Sequence, residues 1–195
     1  MLLGIDHVTY NFFQKKISLR KRKKLFDIKK AKNHLYKKIF LRKYRKDHAI
    51  LFYTTKKNEV DIEITKYHNT KKNYNKFDVL SLKKNIIIIY SNSPKKDHIF
   101  MKKVFEIKNE IFSIFNKKKF KIIFKKKNFN SIYLDDEGYV ALAFVVSNVG
   151  KYYKIVKNLN IKYTRVFKYK IFNNHTKIFF LKLNGGLIIE LIEYL

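Results

Sequence analysis

Short apolar runs closed by polar turns recur along this chain, and most of them read as strands. The sharpest is Gly185-Gly186-Leu187-Ile188-Ile189-Glu190-Leu191-Ile192-Glu193-Tyr194-Leu195. Two glycines open it, and the apolar run is too short for a membrane span. In strand geometry Ile188, Glu190 and Ile192 point one way and Ile189, Leu191 and Glu193 the other, so Glu190 shares its face with isoleucines. An ionised carboxylate on an apolar face needs a cation, a metal or hydrogen-bond donors, which makes Glu190 the first candidate functional residue.

From the start of the chain, Leu3 to Phe13 reads as a strand, with Ile5, His7 and Thr9 on one face and Asp6, Val8 and Tyr10 on the other. Lys15 to Lys24 reads as a solvated basic connector. The apolar spacing from Leu25 to Phe40 predicts an amphipathic helix. His48 to Thr54 and Glu59 to Tyr67 predict a hairpin, with Val60, Ile62 and Ile64 on one face of its second strand and Asp61, Glu63 and Thr65 on the other. Asn69 to Lys76 is polar and aperiodic, the best linker in the chain. Asn85 to Tyr90 predicts a buried strand, and Ser93 as N-cap, Pro94 at the first helical position and Asp97 in the first turn predict a helix running to Phe115. Strands are expected at Phe120 to Phe124 and Phe129 to Leu134, then an acidic turn at Asp135-Asp136-Glu137-Gly138. Tyr139 to Val146 predicts a strand, Gly150 to Leu159 a helix, and Tyr163 to Phe172, Thr176 to Leu183 and Leu187 to Tyr194 three more strands. The order strand, helix, strand, strand, strand thus appears twice, an internal repeat of pattern with little identity.

A chain of 195 residues suits one domain or two small fused halves. Its 45 Lys+Arg against 15 Asp+Glu give a net charge of +30, ordinarily a sign of nucleic acid or an anionic surface as partner. Only Arg20, Arg22, Arg42, Arg45 and Arg165 are arginines, however, and the chain is equally swollen with Ile, Asn, Phe and Tyr, whose codons are A/T-rich. Base composition explains much of the lysine excess, and a nucleic-acid reader would use more arginine for its bidentate fork. No specific nucleic acid is expected as partner. The absence of cysteine removes disulfides, thiolate metal sites and a Cys nucleophile, and is compatible with a reducing cytoplasm. No stretch has the pattern of an export signal or a membrane span.

Four segments carry a resemblance. GIDHV at Gly4 to Val8, VDIEI at Val60 to Ile64, ALAFVV at Ala141 to Val146 and NGGLIIELIE at Asn184 to Glu193 resemble the opening and closing strands of the two modules of the vicinal oxygen chelate superfamily, which includes glyoxalase I, methylmalonyl-CoA epimerase, extradiol dioxygenases and bleomycin resistance proteins. The resemblance implies an α+β fold of paired βαβββ modules forming a cupped, partly closed mixed sheet with helices outside. It places a first module at 1–68, an extended connector with strand, helix and strand elements at 69–137, and a second module at 138–195. It also implies metal ligands at His7, Glu63 and Glu190, with Glu63 or Glu190 as general base. The family's fourth ligand falls on Ala141, which cannot ligate; His68, His98, His175 or the acidic turn could replace it from elsewhere.

One imidazole and two carboxylates suit a divalent ion, Mn, Fe, Ni, Mg or Zn. The function implied is that of a metal-dependent lyase, isomerase or dioxygenase-type enzyme on a small oxygenated, anionic metabolite. The alternative is a degenerate, noncatalytic small-molecule-binding protein of the same fold. Pairing of the modules within one chain or across a homodimer stays open.

Overall fold

The structure, a computed structural model, describes residues 1–11, 23–32, 40–41, 47–54, 60–67, 78–83, 85–106, 111–113, 119–171 and 174–195, with 23–32, 47–49 and 111–113 as backbone only. The expected connector at Lys15 to Lys24 falls outside these residues as far as position 22, and the expected linker at Asn69 to Lys76 and His68 lie outside them entirely. Strands β1 (Leu2–Asn11), β2 (Lys23–Lys32), β3 (Asp47–Thr54) and β4 (Asp61–Tyr67) come first. Next are β5 (Leu80–Lys83), β6 (Ile86–Ser91), helix α1 (Pro94–Phe105), β7 (Ile111–Ser113) and β8 (Lys119–Lys126). The last set is β9 (Gly138–Val146), α2 (Val149–Lys157), β10 (Lys162–Tyr163), β11 (Phe167–Ile171), β12 (Asn174–Lys182) and β13 (Ile188–Tyr194).

The main sheet has nine strands in the order β10-β12-β13-β9-β1-β4-β3-β2, with β11 also on β12. Its two halves are wired alike. In each, the first strand lies parallel to the last, β1 on β4 and β9 on β13, and the strands between return antiparallel. The halves meet where β1 and β9 pair antiparallel, so the two opening strands form the centre of the sheet. This is the α+β architecture of paired modules forming a cupped mixed sheet, left open rather than closed into a barrel. A second sheet, β5-β6-β8-β7, repeats the motif one strand shorter: β6 feeds α1, then β7 and β8 form an antiparallel pair, and β8 returns parallel to β6.

Three expectations need correction. The residues from 23 to 32 form a strand on β3, where the spacing of Leu25, Phe26 and Ile28 had pointed to a helix. Short apolar runs fit either period, and an available edge of β3 decides between them. Helix α1 stops at Phe105, ten residues early, because Glu106 adopts a left-handed conformation (φ 55°) and returns its N–H to the Lys102 carbonyl, a helix C-cap. The stretch 129–134 is not a strand. Side chains, not a ladder, take up its backbone: Asn92 accepts from Phe129 N and donates to Phe129 O, each at 2.9 Å, while Lys182 donates to Ile132 O and Asn11 to Leu134 O.

The core lies between the back of the main sheet and the helices. Val140, Leu142 and Phe144 of β9 are fully buried there with Val149, Tyr152 and Val156 of α2. Phe105 of α1 bridges to Phe144 (5.4 Å between ring centroids) and to Tyr152 (5.6 Å). Glu193, on the back of β13, accepts from Val149 N at 2.8 Å and so satisfies a free amide at the start of α2. Asp97 of α1 is buried as well. It accepts from Ser91 Oγ at 2.7 Å and from Gly185 N at 3.2 Å, tying the second sheet to the turn between β12 and β13. That turn is the tight one expected, with Gly186 at φ +104° donating to Leu183 O. Ser93 sits at the N-cap, but it is the Ser91 hydroxyl that accepts from Ser93 N. Among the described residues no helix is long and apolar enough to cross a membrane.

Candidate functional site

The register of the four central strands assembles the site. Thr9 pairs with Glu63 across the parallel β1–β4 ladder and with Ala141 across the antiparallel β1–β9 seam. Ala143 in turn pairs with Glu190 across β9–β13. Residues directly opposite share a face, so Glu63, Thr9, Ala141, Ala143 and Glu190 all face the concave side. The two alanines matter for what they lack. On β9 no long side chain stands between Glu190 and β1.

A β-bulge turns His7 toward this basin. Ile5 pairs with Phe144 and Val8 with Leu142, so three steps along β1 answer two along β9. Phe144 and Leu142 lie on the back, Ile5 and Val8 are fully buried there with them, and the two residues between them, Asp6 and His7, turn together to the concave side. Simple alternation had put Ile5 with His7 and Asp6 opposite; the extra residue reverses both.

His7 is 3% exposed, and its ring stands edge-on to Phe52 of β3 at 5.3 Å. Its Nδ1 lies 2.7 Å from Asp6 Oδ2. Because an ionised carboxylate can only accept, this contact puts a proton on Nδ1 and turns Nε2 into the basin. Nε2 has no hydrogen-bond partner although it is buried. It faces Glu190 Oε2 at 3.6 Å and Glu63 Oε2 at 3.9 Å. Glu63 Oε1 in turn accepts from Thr65 Oγ1 at 3.3 Å and Thr9 Oγ1 at 3.4 Å. On the other side, Tyr194 donates to Asp6 Oδ1 at 3.4 Å. The sequence reading missed Asp6, Thr9, Thr65 and Tyr194. The threonines were legible, since they alternate with His7 and Glu63 along their strands.

Electrostatics at the basin run against the rest of the chain. Three of the 15 carboxylates converge on one imidazole in a protein of net charge +30. Burial alone pulls the His7 pKa down, but the Asp6 hydrogen bond, Glu190 and the charges of Glu63 and Asp6 outweigh it and hold the ring well above 6.5. Burial pushes the Glu63 carboxyl up and the Glu190 charge adds to this; the His7 charge and the two threonine hydroxyls oppose it. Burial and then the charge of Glu63 raise the Tyr169 phenol on β11.

Among the described residues no three His, Cys, Asp or Glu groups stand close enough to grip one ion as they are. Donors in a coordination shell lie roughly 3.0–3.4 Å apart, so the gaps of 3.6 and 3.9 Å at Nε2 must close by about half an ångström. The orphaned, buried Nε2 and the surplus of carboxylates fit a divalent ion. Ala141 is 1% exposed and offers no donor. Of the replacements considered for it, His98 stacks on Phe124 of the second sheet, Asp136 accepts from Tyr133 N, and His175 is an exposed residue of β12 paired with Lys170.

No family model and no curated protein sequence matches the chain. Solved structures do. A point variant of glyoxalase I from Zea mays is similar over 97% of this chain and 94% of its own, with a TM-score of 0.54 at 9% identity. Methylmalonyl-CoA epimerase from Mycobacterium tuberculosis aligns over 98% of this chain and 88% of its own, with a TM-score of 0.46 at 10% identity. With the strand wiring described above, the chain has the fold of glyoxalase I.

Proposed function

We propose that this glyoxalase-like protein binds a divalent metal ion through His7, Glu63 and Glu190 and acts as a lyase, isomerase or dioxygenase-type enzyme on a small oxygenated, anionic substrate. One observation carries the reading: a buried imidazole nitrogen without a hydrogen-bond partner faces two carboxylates that come from opposite halves of the sheet. An ion bound there supplies Lewis-acid polarisation of substrate oxygens. The chain's own residues supply the rest. Asp6 fixes the imidazole, and Ala141 and Ala143 put no long side chain between Glu190 and β1. Glu63, whose carboxyl is raised and whose Oε1 is held by two threonines, is suited to take up and return a proton from a carbon acid next to the site.

Ala141 favours a second reading, a ligand-binding protein of this fold without catalysis, since the donor set is one short. A single titration separates them. Under the first reading, Mn, Ni, Zn or Mg raises the melting temperature of the chelator-treated protein, and the rise disappears in His7→Ala and Glu190→Gln. A melting curve indifferent to all four metals selects the second.

A further inference from the structure

Among the described residues, the buried side-chain nitrogens and oxygens without a hydrogen-bond partner are His7 Nε2 and Asn11 Oδ1. Both belong to β1. The β1–β4 ladder runs without a shift from His7 to Asn11, and it sets Asn11 opposite Thr65 just as it sets Thr9 opposite Glu63. Asn11 and Thr65 therefore share the concave side with Thr9 and Glu63, two residues further on and about 7 Å along the strands. Thr65 Oγ1 reaches back to Glu63 Oε1 at 3.3 Å, which joins the two positions. Asn11 thus borders the basin.

The way the Asn11 carboxamide is held leaves its oxygen without a donor. Nδ2 donates to Leu134 O and to Asp136 O, the latter at 2.9 Å. Backbone carbonyls only accept, so the nitrogen must face this turn, and Oδ1, at the other corner of the planar group, faces away from it. The residue is fully buried, so bulk water does not compensate. A buried acceptor of this kind costs free energy until a donor arrives. The turn over Asn11 belongs to the stretch 127–136, which lies in neither strand nor helix and is the kind of segment that opens at least cost.

We infer that Asn11 Oδ1 receives a hydroxyl or N–H of the ligand, and hence that the basin takes a small acid carrying such a donor along its tail, beyond the oxygens that face His7. The position of the ligand's head rests on the metal-site reading above; the acceptor stands on Asn11 alone. An acid without the donor leaves Oδ1 unpaired, which lets a single atom select between ligands of equal length.

The full chain is titrated with gluconate and with α-hydroxyhexanoate, which share the α-hydroxy acid head and the length of the carbon chain and differ in the hydroxyls of the tail. Each titration is run with Mg and again in chelator. NMR follows the side-chain carboxamide of Asn11, with that of Asn92, bonded at both ends to Phe129, as the reference. Gluconate should bind roughly tenfold tighter than α-hydroxyhexanoate and shift the Asn11 carboxamide saturably while Asn92 stays still. Asn11→Leu should bring the two affinities together; if that variant fails to fold, the carboxamide signal of the parent decides. Equal affinities in the parent overturn the inference, as does gluconate saturating with the Asn11 carboxamide unmoved, which would leave Oδ1 to a fixed internal water. Absence of saturable gluconate binding in both arms overturns it as well. Failure of the metal reading looks different: Mg then changes neither affinity, while the preference for gluconate and the Asn11 shift persist in chelator.

Discussion

Ala141 holds in β9 the place that His7 holds in β1. His7 pairs with Asp61, two residues before the inward Glu63; Ala141 pairs with Ile188, two residues before the inward Glu190. The two halves of the sheet are related by this correspondence, and the position that is alanine in one half is histidine in the other. Ala141→His should therefore complete a set of two imidazoles and two carboxylates. The expected outcome is tighter metal binding by roughly tenfold or more, read by competition with a chromophoric chelator, and a larger metal-dependent rise in melting temperature. Unchanged affinity in a folded variant would mean that the four positions do not share one ion.

Asp6 acts on the basin through His7. Asp6→Asn keeps the size of the side chain but removes the charge that holds the proton on Nδ1, and outer-shell partners of metal-bound imidazoles are worth roughly 10–100-fold in affinity. A loss in that range is expected, with the imidazole NMR signals reporting a mixture of tautomers in place of one. If Asp6→Asn binds metal as the parent does, the 2.7 Å contact has no part in presenting Nε2.

The tie between the second sheet and the β12–β13 turn can be tested at Gly185. A methyl group there would stand 1.9 Å from Ser91 Oγ and 2.0 Å from Asp97 Oδ2, both buried and already bonded to each other. Gly185→Ala should cost about 1–3 kcal/mol in urea denaturation, whereas Gly150→Ala, which meets only Asn148 Oδ1 at 3.2 Å, should cost less. Equal costs would show that the turn adjusts freely.

Asp97 also gives a pH signature. Burial raises its carboxyl above the ordinary 3.8, against the opposing hydrogen bonds from Ser91 and Gly185. The folded protein then keeps this proton at pH values where the unfolded chain has lost it, so the contribution of Asp97 to stability is full below about pH 4 and falls as pH rises through the raised value. Asp97→Asn lacks this slope. The stability of the variant relative to the parent should climb with pH just above 4 and then level off, measured by denaturation midpoints at successive pH values. A flat difference would place the Asp97 pKa at its ordinary value.

Much of this was legible in the residues. The closing strands could be read from VDIEI and LIIELIE because alternation separates one carboxylate from its apolar neighbours, and the register then brought Glu63 and Glu190 to the same side as His7. What alternation cannot show is an inserted residue. The bulge at Asp6-His7 depends on how β1 meets β9, a partner far along the chain, so the face of Ile5 and the role of Asp6 were hidden. The same holds for β2, where an open strand edge overrode a spacing compatible with a helix, and for 129–134, whose backbone is held by Asn92, Asn11 and Lys182 from three other elements.

The placement of β1 between β4 and β9 also bears on how the molecule forms. Both neighbours of this strand come from far later in the chain, so neither ladder can zip from a local turn, and each must close a long loop before any bond rewards it. Refolding should run on the slow side for a domain of this size, milliseconds to seconds. The basin is complete only once the seam has closed, so the meeting of His7 with Glu190 would mark a late step of assembly.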